Sequence, residues 1–595
     1  MMVAQSYFSV KVDNEIYDCF TKQEVDEISK NLVEGKQPET KEKDIYFVGG
    51  VPLSLKACAG EPNKKMEIKR ADEVTWKNDG ANTEINKDAE NNISVSLNDK
   101  ETSVVAYFKY YYTASNGQSY NIEIPYRVNF IAVMPELYYN ETEDVNSPTE
   151  QRIKGQTCNT FGVKEIQLLP KLIRYEHWQA RQSTPNASIS ELIKAKELIK
   201  EIKWNGTLIE TTDLKGWNKY LIDQGKENSL EITPKLGQAI IFKIMPKTAP
   251  AVSMVRDDLS KKDNYSIDDY ESYRNDDKKG YSTSYESITI EGQTYFTPFI
   301  NYVSSAGEIE IRIKPTGTAS IDGLCRYVIE YPDAKTEKII VKENTGFGFV
   351  TGFWSALKFT LPDDGGYVSI KDELGNTKGK IKLVSCQINT SAKTYTAKLV
   401  KLVYSSASST ITDTKDFVDK LKKTYNPVCV NWNVDQAILT VNLNDVDIPA
   451  AGYTINGKSF SKQKITGMLN TPTITESQQD DYQILLAKIY TEILSKRLVK
   501  LGTNEYYALA LHNQIAQING FAIKNSNYCF LSANFGERTP SHELGHCLDF
   551  DEVAIDLGSC TKDNVRTCNA QVNSSNIMGY GGGWDLYIWQ INKIK

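Results

Sequence analysis

Two histidines and a glutamate near the end of the chain carry its clearest chemistry. In T-P-S-H-E-L-G-H-C-L-D-F-D-E (539–552), His542 and His546 stand four residues apart. On a helix they project from one face, so both imidazoles can reach a single tetrahedral zinc ion. Glu543 sits one residue along, placed to touch a zinc-bound water without taking a coordination position. The metal lowers the pKa of that water to about 7. A carboxylate then takes its proton as it attacks a carbonyl. The segment uses two of only four histidines in the chain. The bland alternative is a chance H-E-x-x-H on an amphipathic helix whose histidines cap or pack, and what lies downstream outweighs it.

Further on, S-S-N-I-M-G-Y-G (574–581) places a methionine in a glycine-flanked turn. With the H-E-x-x-H segment, this resembles the zincin metallopeptidases and, within them, the metzincins, whose motif adds a third ligand and a Met-turn. The resemblance covers about the last 190 residues, and its specific part is 539–581. It implies an α+β catalytic domain with Met578 beneath the metal and Tyr580 steadying the oxyanion. The strand at 528–534 would pair with substrate, and 583–595 would form a C-terminal helix. The third ligand falls on Glu552, six residues beyond His546, where the family has His or Asp. Asp549 stands where the family has glycine. The alternatives for the third ligand are Asp549, Asp551 and Asp556. No glutamate follows Glu552, which excludes the zincin branch with a later glutamate ligand unless an aspartate such as Asp563 substitutes.

The elements that must position these residues form a distinct C-terminal region. Phe417, Leu421 and Tyr425 at i, i+4 and i+8 predict a short helix ended by Asn426-Pro427. Two strands follow, one with Val428, Val430 and Trp432 and one at 437–443. A long helix from about Thr475 to Leu501 carries Tyr482, Leu485, Leu486, Ile489 and Ile493 on one face. Strands at 505–511, 520–523 and 528–534 lead into the histidine helix, with Thr539 as its N-cap and Pro540 as its first residue. His512 and His177 read as scaffold residues, and Cys547 as a small core residue.

Upstream, Tyr-, Val- and Ile-rich segments such as 103–114, 120–133, 308–315, 326–331 and 379–388 predict strands of sandwiches or barrels. Cys58 followed by Trp76 suggests an immunoglobulin-like core. One amphipathic helix is expected near 189–203, with Leu192, Ala195, Ile199 and Ile202 on a common face. The expected organisation is a β-rich module at 1–140, with an Ig-like sandwich as its candidate subtype, and a mixed β/α module at 141–255. A β-rich module at 256–404 and a zinc metallopeptidase domain at 405–595 complete it.

Composition narrows the function. With 595 residues, 40% hydrophobic and 24% charged, the chain reads as an ordinary globular protein. A net charge of −7 argues against nucleic acid or anionic membranes as general partners. No apolar run is long enough to span a bilayer. The start lacks the pattern of a secretory leader, so the protein is expected either in the cytoplasm or exported by a leaderless route. Ten scattered cysteines form no disulfide framework. Only Cys560 and Cys568 are close enough for a local bridge, and free thiols in both are the other reading.

The expected activity is an exported bacterial effector or toxin that hydrolyses protein or peptide substrates with Zn2+. Glu543 and Tyr580 are its expected catalytic groups, and His542, His546 and Glu552 its metal ligands. The β-modules would contact a target, a glycan or a delivery apparatus. The competing expectation is a β-rich binding or structural protein with a degenerate, non-catalytic zinc site.

Overall fold

Alternating apolar residues lay down strands through most of the chain in the computed structural model. The structure describes residues 6–548 and 591, apart from residues 38, 49–52, 61–65, 69–72, 80–83, 97–101, 145, 184–197, 210–215, 256–264, 269–283, 305–306, 317–320, 345–351, 388–391, 405–413, 499, 517 and 524–525. Two compact units result, residues 1–248 with 322–325 and residues 249–321 with 326–595.

In the first unit, Val104, Ala106 and Phe108 point inward along Thr102–Thr113. Ile122, Ile124, Tyr126, Val128 and Phe130 do the same along Ser119–Asn140. These strands form a long hairpin, flanked by Val74–Asn78 and Glu165–Arg174. A second sheet runs in the order Glu15–Thr21, Ser6–Val12, Leu53–Ala59, Ile93–Ser96, Glu84–Lys87. Phe8, Val10, Leu53, Leu55 and Val95 from that sheet join the hairpin's inner residues in one core. This is a β-sandwich. Cys58 and Trp76 stand in different sheets, Cys58 on Leu53–Ala59 and Trp76 on Val74–Asn78.

The amphipathic helix expected near 189–203 is corrected over its second half. Ile199–Trp204 is a strand paired with Asn228–Pro234, and Leu192 and Ala195 lie outside the described residues. A register shift between Ile199 and Glu201 inserts one residue. Ile199 and Ile202 therefore both turn inward although they stand three apart. A bulged strand mimics the helical period there.

In the second unit, Gly366–Asp372, Thr377–Cys386, Phe299–Val303 and Tyr265–Asp268 lie side by side, and Val252–Val255, Glu308–Pro315, Gly352–Thr360 and Lys342–Asn344 form a second sheet. The last sheet has five strands in the order Val430–Asn442, Lys393–Val403, Glu505–Leu511, Tyr528–Leu531, Gly520–Ala522. Its first three junctions are parallel and the last is antiparallel. Val430–Asn442 is one long strand where two were expected.

Alternation sorts this sheet's side chains onto two helical layers. Tyr507, Leu509 and Leu511 pack on the helix Glu476–Ile489, which continues through a π-turn to Arg497. Ala508, Ala510, Cys529 and Leu531 face the helices Thr414–Tyr425 and Thr539–Cys547.

Candidate functional site

The helix Thr539–Cys547 follows the sheet's edge hairpin, and its apolar face explains its seat. Leu544, Cys547 and Leu548 enter the core formed by Tyr395, Phe417, Leu421, Tyr425 and Trp432. Arg538 is the N-cap and Pro540 the second helical residue, one position later than expected. Proline is tolerated there because the first turn's N–H groups have no helical acceptor.

His542 and His546 share one half-buried face, with ring centroids 4.9 Å apart and planes nearly perpendicular. Glu543 points away from water and is 5% exposed. It lies across the edge strand at Gly520, where a Cβ would stand 3.0 Å from Glu543 Cγ, 2.9 Å from Thr539 Cγ2 and 2.8 Å from the Phe530 carbonyl oxygen. Only a residue without a side chain lets helix and strand approach so closely. Behind them Cys547 Sγ donates to the Tyr528 carbonyl at 3.2 Å. A hydrogen bond with the Cys547 thiol, together with burial, pushes the Cys529 thiol well above its ordinary pKa.

The structure thus brings His542, Glu543 and His546 together on one helix. Glu552, the alternatives Asp549, Asp551 and Asp556, Met578, Tyr580 and the Cys560/Cys568 pair lie outside the described residues. Two imidazoles on one face supply half of a tetrahedral zinc shell. Among the described residues no group of three or more His, Cys, Asp or Glu could hold a metal. His512 stacks on Tyr404 with centroids 6.2 Å apart and approaches the Leu402 carbonyl through Nδ1. His177 lies 3.6 Å from Glu176.

A second surface escaped the sequence reading. On Thr102–Thr113 the outward residues include Tyr107, Lys109 and Tyr111, and Tyr111 is 74% exposed. Across the hairpin stand Pro125, Glu123 and Asn121. Lys77 Nζ lies 4.5 Å from the centre of the Tyr107 ring, Lys109 pairs with Glu123 at 4.0 Å, and Arg127 with Asp79 at 2.6 Å. The signal was the run Y-F-K-Y-Y-Y (107–112), whose odd positions face outward while Phe108 enters the core.

No protein-family profile and no curated protein matches the chain. Among solved structures it is similar to the N-terminal eight Ig domains of Down Syndrome Cell Adhesion Molecule, at 8% identity, TM-score 0.14, over 61% of this chain and 43% of that one. The chain therefore spans less than half of that structure. It is also similar to Bacteroides ovatus SGBP-B in complex with a mixed-linkage heptasaccharide, at 11% identity, TM-score 0.13, over 63% and 70%. The insect immune protein hemolin matches at 11% identity, TM-score 0.16, over 60% and 80%. At these scores the matches carry no argument about site or ligand, and the β-rich assignment rests on the strands themselves.

The expected zincin and metzincin identity is corrected here, and with it the metalloprotease description and the α+β zincin catalytic domain. No family profile matches the chain, that of a metallopeptidase included. The described residues assemble no metal-holding group of three. The physical reason lies in the motif: H-E-x-x-H fixes two side chains on one helical face, whereas the family's identity rests on a third ligand and a Met-turn that the described residues do not include.

Proposed function

We propose that the protein is a β-rich binding protein, and the outward face bearing Tyr107 and Tyr111 carries this reading. Each ring offers a flat apolar surface with a hydroxyl at its rim. Lys109, Asn121 and Glu123 set donors and acceptors beside them. A sugar ring has the matching character, with an apolar face to stack and hydroxyls to hydrogen-bond. A neutral glycan is therefore the proposed ligand class. The test is a glycan array followed by calorimetry on the strongest binder. The Tyr107→Ala/Tyr111→Ala variant should fold normally and lose affinity at least about tenfold, as buried aromatic contacts do at recognition sites. A wild type that binds no glycan, or a double variant with unchanged affinity, overturns the reading.

The histidine pair is proposed as a zinc brace for its own helix, with His542 and His546 as ligands and Glu552 as the third. The shared face of the two rings supports it. Metal analysis should find about one zinc per chain, lost in His546→Ala. Zinc-dependent hydrolysis of an amide by the wild type, abolished in Glu543→Gln, would overturn the non-catalytic part of this reading. Action outside the cytoplasm is proposed as well. The buried disulfide Cys386–Cys429 supports it, since such bonds persist in oxidising surroundings.

A further inference from the structure

The helix carrying His542, Glu543 and His546 is gripped from the side by the helix Thr414–Tyr425. Tyr425 is fully buried at the end of that helix, and its hydroxyl donates to the Ser541 carbonyl at 2.8 Å. Ser541, itself fully buried, returns the contact through Oγ to the Lys420 carbonyl at 3.2 Å. Two reciprocal hydrogen bonds therefore tie the helices together at the residue just before His542.

The far side of Tyr425 is held covalently. The chain passes through the 3-10 turn Asn426–Val428 into Cys429, which adopts a left-handed conformation at φ 65°. Cys429 is bonded to Cys386 at the end of the strand Thr377–Cys386. The turn packs against the neighbouring strand Phe299–Val303. Both cysteines are buried, at 3% and 8% exposure, which shields the bond from thiol attack.

We propose that the Cys386–Cys429 bond and the Tyr425–Ser541 contact act as one clamp. The bond fixes the end of the helix Thr414–Tyr425, and that end sets where the histidine helix sits. Forming the bond joins two sulfurs while two thiol hydrogens pass to a disulfide oxidant, which becomes a dithiol. The arrangement of His542, Glu543 and His546 is thereby coupled to an oxidative step in folding. Tyr425 and Ser541 are positioning residues in this scheme. The proposal concerns the helix itself and stands apart from any metal.

Hydrogen exchange with mass spectrometry on the metal-free full chain tests it. In Tyr425→Phe and in Cys386→Ser/Cys429→Ser, amides of residues 539–547 should exchange about tenfold faster, as for the loss of one buried tie. In Tyr425→Phe, which keeps the disulfide, the strand Glu505–Leu511 should keep its protection. Unchanged exchange at 539–547 in either variant overturns the clamp. Equal acceleration across the sheet strands in Tyr425→Phe also overturns it, because that marks general loosening. If the cysteine variant does not fold, Tyr425→Phe decides alone, since it keeps the disulfide and removes one hydroxyl.

Discussion

Gly520 shows how much one missing side chain controls at the site. The nearest atoms to a methyl placed there belong to strand backbone, Thr539 and Glu543, and two of the three lie under 3.0 Å. Gly520→Ala should therefore destabilise the protein by about 1–3 kcal/mol through overpacking. Gly467, inside the helix Lys462–Asn470, has nothing within 4 Å of such a methyl. Gly467→Ala should stabilise by about 0.5–1 kcal/mol through helix propensity. Denaturant midpoints of the two variants, moving in opposite directions, check both. His512 supplies a pH test at the same scale. Burial lowers its folded pKa below the ordinary value. The unfolded chain then takes up the proton first as pH falls, so stability is complete above about pH 6.5 and declines below it. Thermal midpoints from pH 8 to pH 5 should show that decline, and His512→Phe should flatten it. The role of His512 was legible because it ends an apolar strand. The burial of Glu543 was not, because it depends on the edge strand crossing at Gly520.

Elements were legible where one periodicity ruled. Phe417, Leu421 and Tyr425 are all buried along Thr414–Tyr425, and Tyr482, Leu485, Leu486 and Ile489 along Glu476–Ile489. Sequence reasoning fails at Ile199–Trp204, where a bulge gives a strand helical spacing, and at Val430–Asn442, where one strand spans a pattern that suggests two. Contacts between distant elements leave no local pattern. The helix Tyr175–Ser183 illustrates this: its Arg181 reaches Glu136 at 2.8 Å, Arg152 reaches the same carboxylate at 2.8 Å, and Tyr138 donates to it at 2.6 Å. Glu136 is nearly inaccessible, and its partners' side chains are 14% and 15% exposed. Glu136→Leu leaves two guanidinium groups facing an apolar side chain and should cost about 3–5 kcal/mol. Chemical denaturation measures this, and a loss under about 1 kcal/mol would show that the helix is held by its packing.

For the molecule as a whole, the disulfide was the feature least visible beforehand. Its cysteines are 43 residues apart, on a strand end and after a 3-10 turn. The sequence offered only the nearer pair Cys560 and Cys568, and nothing local marks Cys386 and Cys429 as neighbours. A loop of this length restricts the unfolded chain enough to stabilise the fold by roughly 4 kcal/mol. Cys386→Ser/Cys429→Ser should lose that amount in the unit containing residues 326–595, read from the slowest-exchanging amides of Glu505–Leu511. Amides of Ser119–Asn140, in the other unit, should be unaffected. The same bond turns part of the backbone into a covalent ring. A cut anywhere between Cys386 and Cys429 opens the ring without releasing a fragment. A protein nicked there would migrate as one molecule on a gel without reductant and as two pieces once thiols are added.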